Sequence, residues 1–241
     1  MSPASAIFAC SGVSLTLGGR EILRDVDLHV SRGEVLGLIG PNGAGKTSLF
    51  EVLSGRYRAA GGRIVLDGQD VTRLDIVRRA RMGLARTYQS PVVPSALTVG
   101  ETFRAARLAW RPYMSRHQAE WAARLVNLTV PWTRPAGSLD TFDRRKLLLA
   151  CLLQRRPKVL LMDEPASGLI NTEIDELDLL IRRLVDEYHL AVIVIEHRLE
   201  LLEALADRVT VLNLGQVIAE GAPDSVFEDA AVRAAYFEGA E

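Results

Sequence analysis

The chain has 241 residues, enough for one large α/β domain with a sizeable apolar interior. Lysine and arginine number 29 against 30 acids, a formal net charge of -1, so overall charge does not draw the chain onto nucleic-acid backbones. No apolar run approaches the roughly 20 residues of a spanning helix, and the start, MSPASAIFACSG, lacks a basic segment followed by a signal-like apolar stretch; the expectation is a soluble chain that meets a membrane only through another protein.

Residues 6–30 alternate apolar and polar (IFACSGVSLTL, then ILRDVDLHV) around the turn GGR, which predicts antiparallel strands of a half-exposed sheet. EVLGLIG reads as a short buried strand, and PNGAGKTSLFEVLSG passes from a glycine loop into a helix. GGRIVLDGQDV reads as a further hairpin. From about residue 71 to 132 the pattern turns helical, with LTVGETFRAARLAW and SRHQAEWAARLVNL carrying apolar residues three and four apart. This predicts a small helical subdomain, residues 88–154, set into a nucleotide-binding core of residues 1–87 and 155–241 with an antiparallel β-subdomain, all within one domain of residues 1–241. PWTRPAGS marks the exit loop. Phe103, Trp110 and Trp121 on these helices read as packing rather than as a cofactor surface. Then come a helix (RRKLLLACLLQ), a buried strand (KVLLMDEP), a helix (EIDELDLLIRRLVDEY), a buried strand (LAVIVIEH), a helix and a hairpin (DRVTVLNLGQVIAEG). Strands alternating with helices mean an α/β fold with a mainly parallel sheet covered on both faces. Cys10 and Cys151, far apart and in apolar surroundings, read as buried thiols in a reducing cytoplasm.

GPNGAGKT, residues 40–47, matches the pattern G-x-x-x-x-G-K-[ST] in its required strand-loop-helix setting. Gly40, Pro41, Asn42, Gly43, Ala44 and Gly45 would curl backbone N–H groups around a phosphate, and the helix N-terminus adds a favourable dipole. Lys46 would reach the terminal phosphates of a nucleoside triphosphate, and the Thr47 hydroxyl would ligate magnesium. The strand VLLMDEP then supplies Asp163 to hold magnesium through water and Glu164 to polarise an attacking water. An apolar strand ending in two acids would otherwise be an ordinary loop start; the glycine loop upstream changes its meaning. His197 ends the strand VIVIEH at the sheet edge where ligands sit in open α/β sheets, and reads as a phosphate sensor. Gln89, in RTYQSP, is a neutral loop residue able to reach magnesium or water.

GPNGAGKTS, RTYQSP, LLMDEP, SGL and VIEH, in that order, resemble the ATP-binding subunit of an ABC transporter along the whole chain. RARMGLARTYQ, PSALTVGE and EGAPDSVFEDAAVRAAYFEG are similar to the branched-chain amino acid uptake group of that family. The resemblance implies ATP and Mg2+ as ligands. It makes Gly40 through Ser48 the phosphate loop, Gln89 the loop glutamine that touches magnesium and the membrane subunit, Asp163 the magnesium aspartate, Glu164 the catalytic base and His197 the switch histidine. It also implies ATP hydrolysis coupled to import of an amino acid or related small polar solute. The implied partners are integral membrane permease subunits docked near Gln89 and SPVVPS, and a solute-binding protein acting through them; no nucleic acid is implied. The implied place is cytoplasmic, peripheral on the inner face of the cell membrane.

Members of the family work as head-to-tail dimers in which each ATP lies between one phosphate loop and the partner's signature, commonly Leu-Ser-Gly-Gly-Gln. Here SLDTFDRRKL occupies that position: Leu139 keeps the leucine, while Asp140, Thr141, Phe142 and Asp143 replace the rest. A carboxylate in place of the serine repels a phosphate, and Phe142 in place of glycine is expected to block the backbone's approach. Asp140 is also a competent helix cap. The aromatic that usually stacks on adenine is Leu17, and Ile170 followed by Asn171 stands where the crossing loop usually has Asn or Asp. Changes therefore cluster on residues that act on a partner's site and spare those that act on the chain's own. This predicts an asymmetric heterodimer with a second ABC ATPase that carries a good signature. The alternatives are an ATP-binding regulatory subunit with little hydrolysis, and a non-transport ABC protein, a class that carries fused cassettes or coiled-coil insertions.

Overall fold

A computed structural model describes residues 6–109 and 111–237. β1 (Ala6–Leu17) and β2 (Arg20–Ser31) pair antiparallel across the turn at Gly18 and Gly19, which holds φ of 56° and 78° that favour glycine. With β4 (Gly61–Leu66) and β5 (Gln69–Asp70) they form an antiparallel sheet in the order β2-β1-β4-β5, as the alternating sequence predicts.

The second sheet runs β10-β9-β3-β8-β7-β6. Its inner strands are β3 (Val35–Ile39), β7 (Val159–Asp163) and β8 (Ala191–Ile195), every residue of which is buried. Strand alternation divides them between two cores. Leu36, Leu38, Val159, Leu161, Ile193 and Ile195 face the antiparallel sheet and α1 (Lys46–Ser54). Val35, Ile39, Leu160, Met162, Val192 and Val194 face the opposite core. There they meet α3 (Val99–Leu108), α4 (Arg116–Leu125), α5 (Thr141–Leu153), α6 (Asn171–Tyr188) and α7 (Leu199–Leu205). β9 (Arg208–Asn213) continues the parallel set, and β10 (Gln216–Gly221) closes the edge antiparallel. α8 (Pro223–Glu228) and α9 (Ala230–Phe237) follow.

The helical stretch expected from about residue 71 is interrupted. α2 (Ile76–Met82) leads into β6 (Leu84–Arg86), which pairs in parallel with β7 at the sheet edge. Three residues are too few for a period to show, so the strand is invisible to alternation and is defined only by its neighbour. α3 and α4 open with reciprocal caps, Thr98 with Glu101 and Ser115 with Gln118. Phe103 is buried and stacks on Trp132 at 5.0 Å, and Trp121 meets Tyr188 edge-on at 5.6 Å, so both pack as expected. Trp110 lies outside the described residues. Both cysteines are free, and burial pushes their thiols up to about 12, which keeps them protonated.

Because β3, β7 and β8 run parallel, their C-terminal ends emerge at one edge of the sheet. Chain direction alone thus brings residues 40–47, 163–164 and 196–197 together.

Candidate functional site

The glycine loop leaves β3 at Gly40, where a Cβ would lie 2.0 Å from the Leu212 carbonyl oxygen, so only glycine fits. Gly45, at φ 105°, forms the N-cap of α1 and leaves that helix's first N–H groups directed at the loop. Lys46 is 6% exposed, and its Nζ donates to the carbonyls of Gly40 at 2.6 Å and Pro41 at 3.0 Å. Burial holds its pKa below the ordinary value, and the charges of Glu164 and Asp163 oppose that shift. Thr47 is exposed beside it and Ser48 is half-buried. A buried ammonium at a helix N-terminus, ringed by backbone amides, has the chemistry of a polyphosphate cradle.

Asp163 ends β7 as a buried carboxylate; burial raises its pKa, and the Arg86 guanidinium 3.4 Å away opposes the rise. Glu164 follows at φ 46°, a left-handed conformation that costs a non-glycine residue about 1–2 kcal/mol. The peptide N–H of Glu164 donates to the Ile195 carbonyl at 2.9 Å, which fixes that bend against β8. Its carboxylate receives Gln89 Nε2 at 2.5 Å, while His197 Nε2 lies 3.2 Å from the other oxygen. Two residues from two separate loops therefore converge on the carboxylate of a third. Thr47, Asp163 and Gln89 supply one hydroxyl, one carboxylate and one amide. That set suits magnesium, which keeps several waters and takes the rest of its ligands from phosphates. Among the described residues there is no group of three or more His, Cys, Asp or Glu that could hold a metal without such a ligand.

Three supporting residues escape sequence reasoning. Glu196 is buried and accepts the Ala166 N–H at 2.7 Å, which holds the turn after Glu164. Arg145 donates to the Pro165 carbonyl, to the Ser167 carbonyl at 2.5 Å and to the Gln89 carbonyl at 3.4 Å, so α5 clasps two site loops. Arg86 links Asp163 to α1. The signal was at most a charged residue at the end of an apolar strand, for Glu196 and Arg86, or within a helix, for Arg145, which is too common to single any out.

At the signature position, Asp140 is the N-cap of α5 and accepts the Asp143 N–H at 2.7 Å, as its capping pattern predicts. Burial, then the nearby Asp140 charge, raises the pKa of Asp143. The expectation that the Phe142 ring blocks a partner's approach is overturned. Phe142 is 7% exposed and packs in the core, with the Lys146 ammonium 4.2 Å from its ring centroid. Its place in the first turn of α5 puts it on the face that Lys146 and Leu149 share, four and seven residues along the helix. Asp140 and Thr141 are the exposed positions. Ile170 is 65% exposed at the start of α6, ahead of Asn171, and its N–H donates to Glu173 at 3.0 Å. Leu17 ends β1, 38% exposed. Beside Gln89, a cavity of about 390 Å³ is lined by Tyr88, Pro91 and Val92 of the loop and by Leu149, Leu152 and Leu177 of the helices. Val92 is 81% exposed at its mouth.

The family model described as ABC transporter matches residues 23–167. The high-affinity branched-chain amino acid transport ATP-binding protein BraF of Pseudomonas aeruginosa is 35% identical, across 95% of this chain and 97% of its own. LivG of Escherichia coli, described in the same words, is 33% identical, again across 95% of this chain and 97% of its own. Among solved structures, an ATP-binding cassette of an ABC transporter in its ADP conformation superposes with a TM-score of 0.86 at 26% identity, covering 95% of this chain and 97% of that one.

Proposed function

The chain belongs to the ABC transporter family as an ATP-binding subunit and ATPase related to branched-chain amino acid importers, and we propose that it drives import of an amino acid or related small polar solute as one half of an ATPase heterodimer. The convergence of Gln89 and His197 on Glu164 carries the catalytic half of this reading. Glu164 takes the proton of the water that attacks the γ-phosphate, Gln89 and His197 orient its carboxylate, and Lys46 and the loop amides hold the phosphates. Magnesium, held by Thr47, Asp163 and Gln89, would neutralise phosphate charge.

The exposed Asp140 supports the asymmetric half. Two like charges about 4 Å apart at an effective dielectric of about 20 repel by about 4 kcal/mol, close to a thousandfold in affinity. A partner's γ-phosphate set against Asp140 would meet that repulsion. The chain's own phosphate loop, Asp163, Glu164 and His197 carry no such defect, so a partner with an intact signature completes this site. Residues 88–154 act as the helical subdomain, a reading supported by the packing of α3, α4 and α5 on one another. The permease docks on the loop of Gln89 and Val92, an exposed apolar edge beside the catalytic carboxylate. Among the described residues no helix is long and apolar enough to cross a membrane, and attachment to the inner face through the permease suits that.

Magnesium-dependent ATP turnover by the purified chain, with Glu164→Gln as blank and ATP binding measured separately, tests the reading. Binding without turnover, with activity restored by a second ABC ATPase, is expected. Full turnover by the chain alone, or transport at normal rates by a complex whose only ATPase is two copies of it, refutes the heterodimer.

A further inference from the structure

Arg86 ends β6 with its side chain 4% exposed, three residues before Gln89. Its Nη1 donates to Ser54 Oγ at 3.0 Å, and its Nη2 donates to Glu51 Oε1 at 3.1 Å and Asp163 Oδ2 at 3.4 Å. The rings of Tyr88 and Phe50 lie 4.7 and 5.7 Å from its guanidinium carbon. A buried guanidinium is costly unless its donors are matched, so this site depends on these partners being in place. The partners lie on different elements. Ser54 and Glu51 belong to α1, the helix that opens with Lys46 and Thr47, whereas Asp163 ends β7.

We infer that Arg86 is a positioning residue for the magnesium site, a planar fork that fixes the Asp163 carboxylate against α1 and so sets Asp163 relative to Thr47. The inference rests on the reading of this loop as a magnesium-nucleotide site. Residues that hold a metal ligand without touching the metal typically govern affinity by 10- to 100-fold. Lysine cannot replace the fork, because one ammonium on a flexible stem does not span Ser54, Glu51 and Asp163 with fixed geometry. Tyr88 covers the same guanidinium, so the Gln89 loop begins on the residue that holds the metal aspartate.

The test uses the full chain with the Glu164→Gln change to stop turnover, a fluorescent ATP analogue, and Mn2+ as a paramagnetic stand-in for magnesium. Nucleotide affinity is measured in EDTA, and Mn2+ half-saturation is read by electron paramagnetic resonance at saturating nucleotide. Arg86→Lys is expected to leave the EDTA affinity within about twofold and to raise Mn2+ half-saturation by about 10- to 100-fold. Glu51→Ala, which removes one of the two α1 acceptors while leaving Arg86 on Ser54 and Asp163, is expected to move the same readout in the same direction, and decides the matter if Arg86→Lys does not fold. Unchanged Mn2+ half-saturation in the folded variants, or equal losses with and without metal, overturns the inference. Absence of metal-dependent binding in the Arg86-bearing parent overturns the nucleotide-site reading itself.

Discussion

Glu164 sits at φ 46° with Gln89 and His197 on its two oxygens, so its geometry is set by three loops rather than by its own rotamer. Glu164→Gln removes the proposed base and keeps the shape; turnover is expected to fall about 10²- to 10⁴-fold with ATP binding retained, which steady-state hydrolysis and equilibrium binding read separately. Phe142 gives the opposite lesson. Its apparent departure from the family pattern suggested a surface obstruction, yet the ring is core. Phe142→Gly, which restores the family's glycine, is expected to cost about 3–5 kcal/mol through the cavity left, plus about 1 kcal/mol of helix propensity, seen as a lower urea midpoint. The phosphate-loop residues and the acid pair were legible because the motif fixes their type and spacing. Arg86, Arg145 and Glu196 were not, because what they hold is remote in sequence.

At the scale of elements, α1 is pinned at both ends. Gly45 opens it, and Gly55, at φ 83°, closes it against the buried Arg79. Arg79 of α2 donates from Nη1 to the Val52 and Leu53 carbonyls at 2.7 Å each, and from its other nitrogens to Leu74 at 3.0 Å and Thr72 at 3.1 Å. The Leu53 carbonyl sits at the end of α1, Val52 also receives the Gly55 N–H at 3.1 Å, Leu74 and Thr72 lie in the loop before α2, and burial pulls the Arg79 guanidinium down to about 10. Arg79→Met is expected to lower stability by about 3 kcal/mol, measured by chemical denaturation, because buried carbonyls lose their donors. The effect on nucleotide affinity should be secondary, since Lys46 and Thr47 lie at the other end of the helix. Helices α3 and α4 were readable from their apolar spacing, and the start of α5 from its Asp140 cap. β6 was not, since a three-residue edge strand has no pattern of its own and exists because β7 offers it an unpaired edge.

For the whole molecule, the decisive quantity is how two copies meet. Asp140→Ser keeps a good N-cap for α5 and removes the charge proposed to face a partner's phosphate. ATP-loaded Glu164→Gln protein is expected to remain monomeric in size-exclusion chromatography, and the added Asp140→Ser change to raise self-association at least about tenfold. A stable ATP-dependent homodimer with Asp140 in place would count against the asymmetric assembly.

The sequence alone determined the glycine loop, the order of strands and helices apart from β6, the acid pair and the altered signature, because each is a local pattern of residue type and spacing. The parallel run of β3, β7 and β8 then dictated that these patterns meet at one edge. Only the tertiary structure decided which way Phe142 points, that Gln89 and His197 close on Glu164, and that buried arginines tie the loops to their helices. Those outcomes depend on which apolar faces find each other across the two cores, and no window of sequence contains both sides of such a contact.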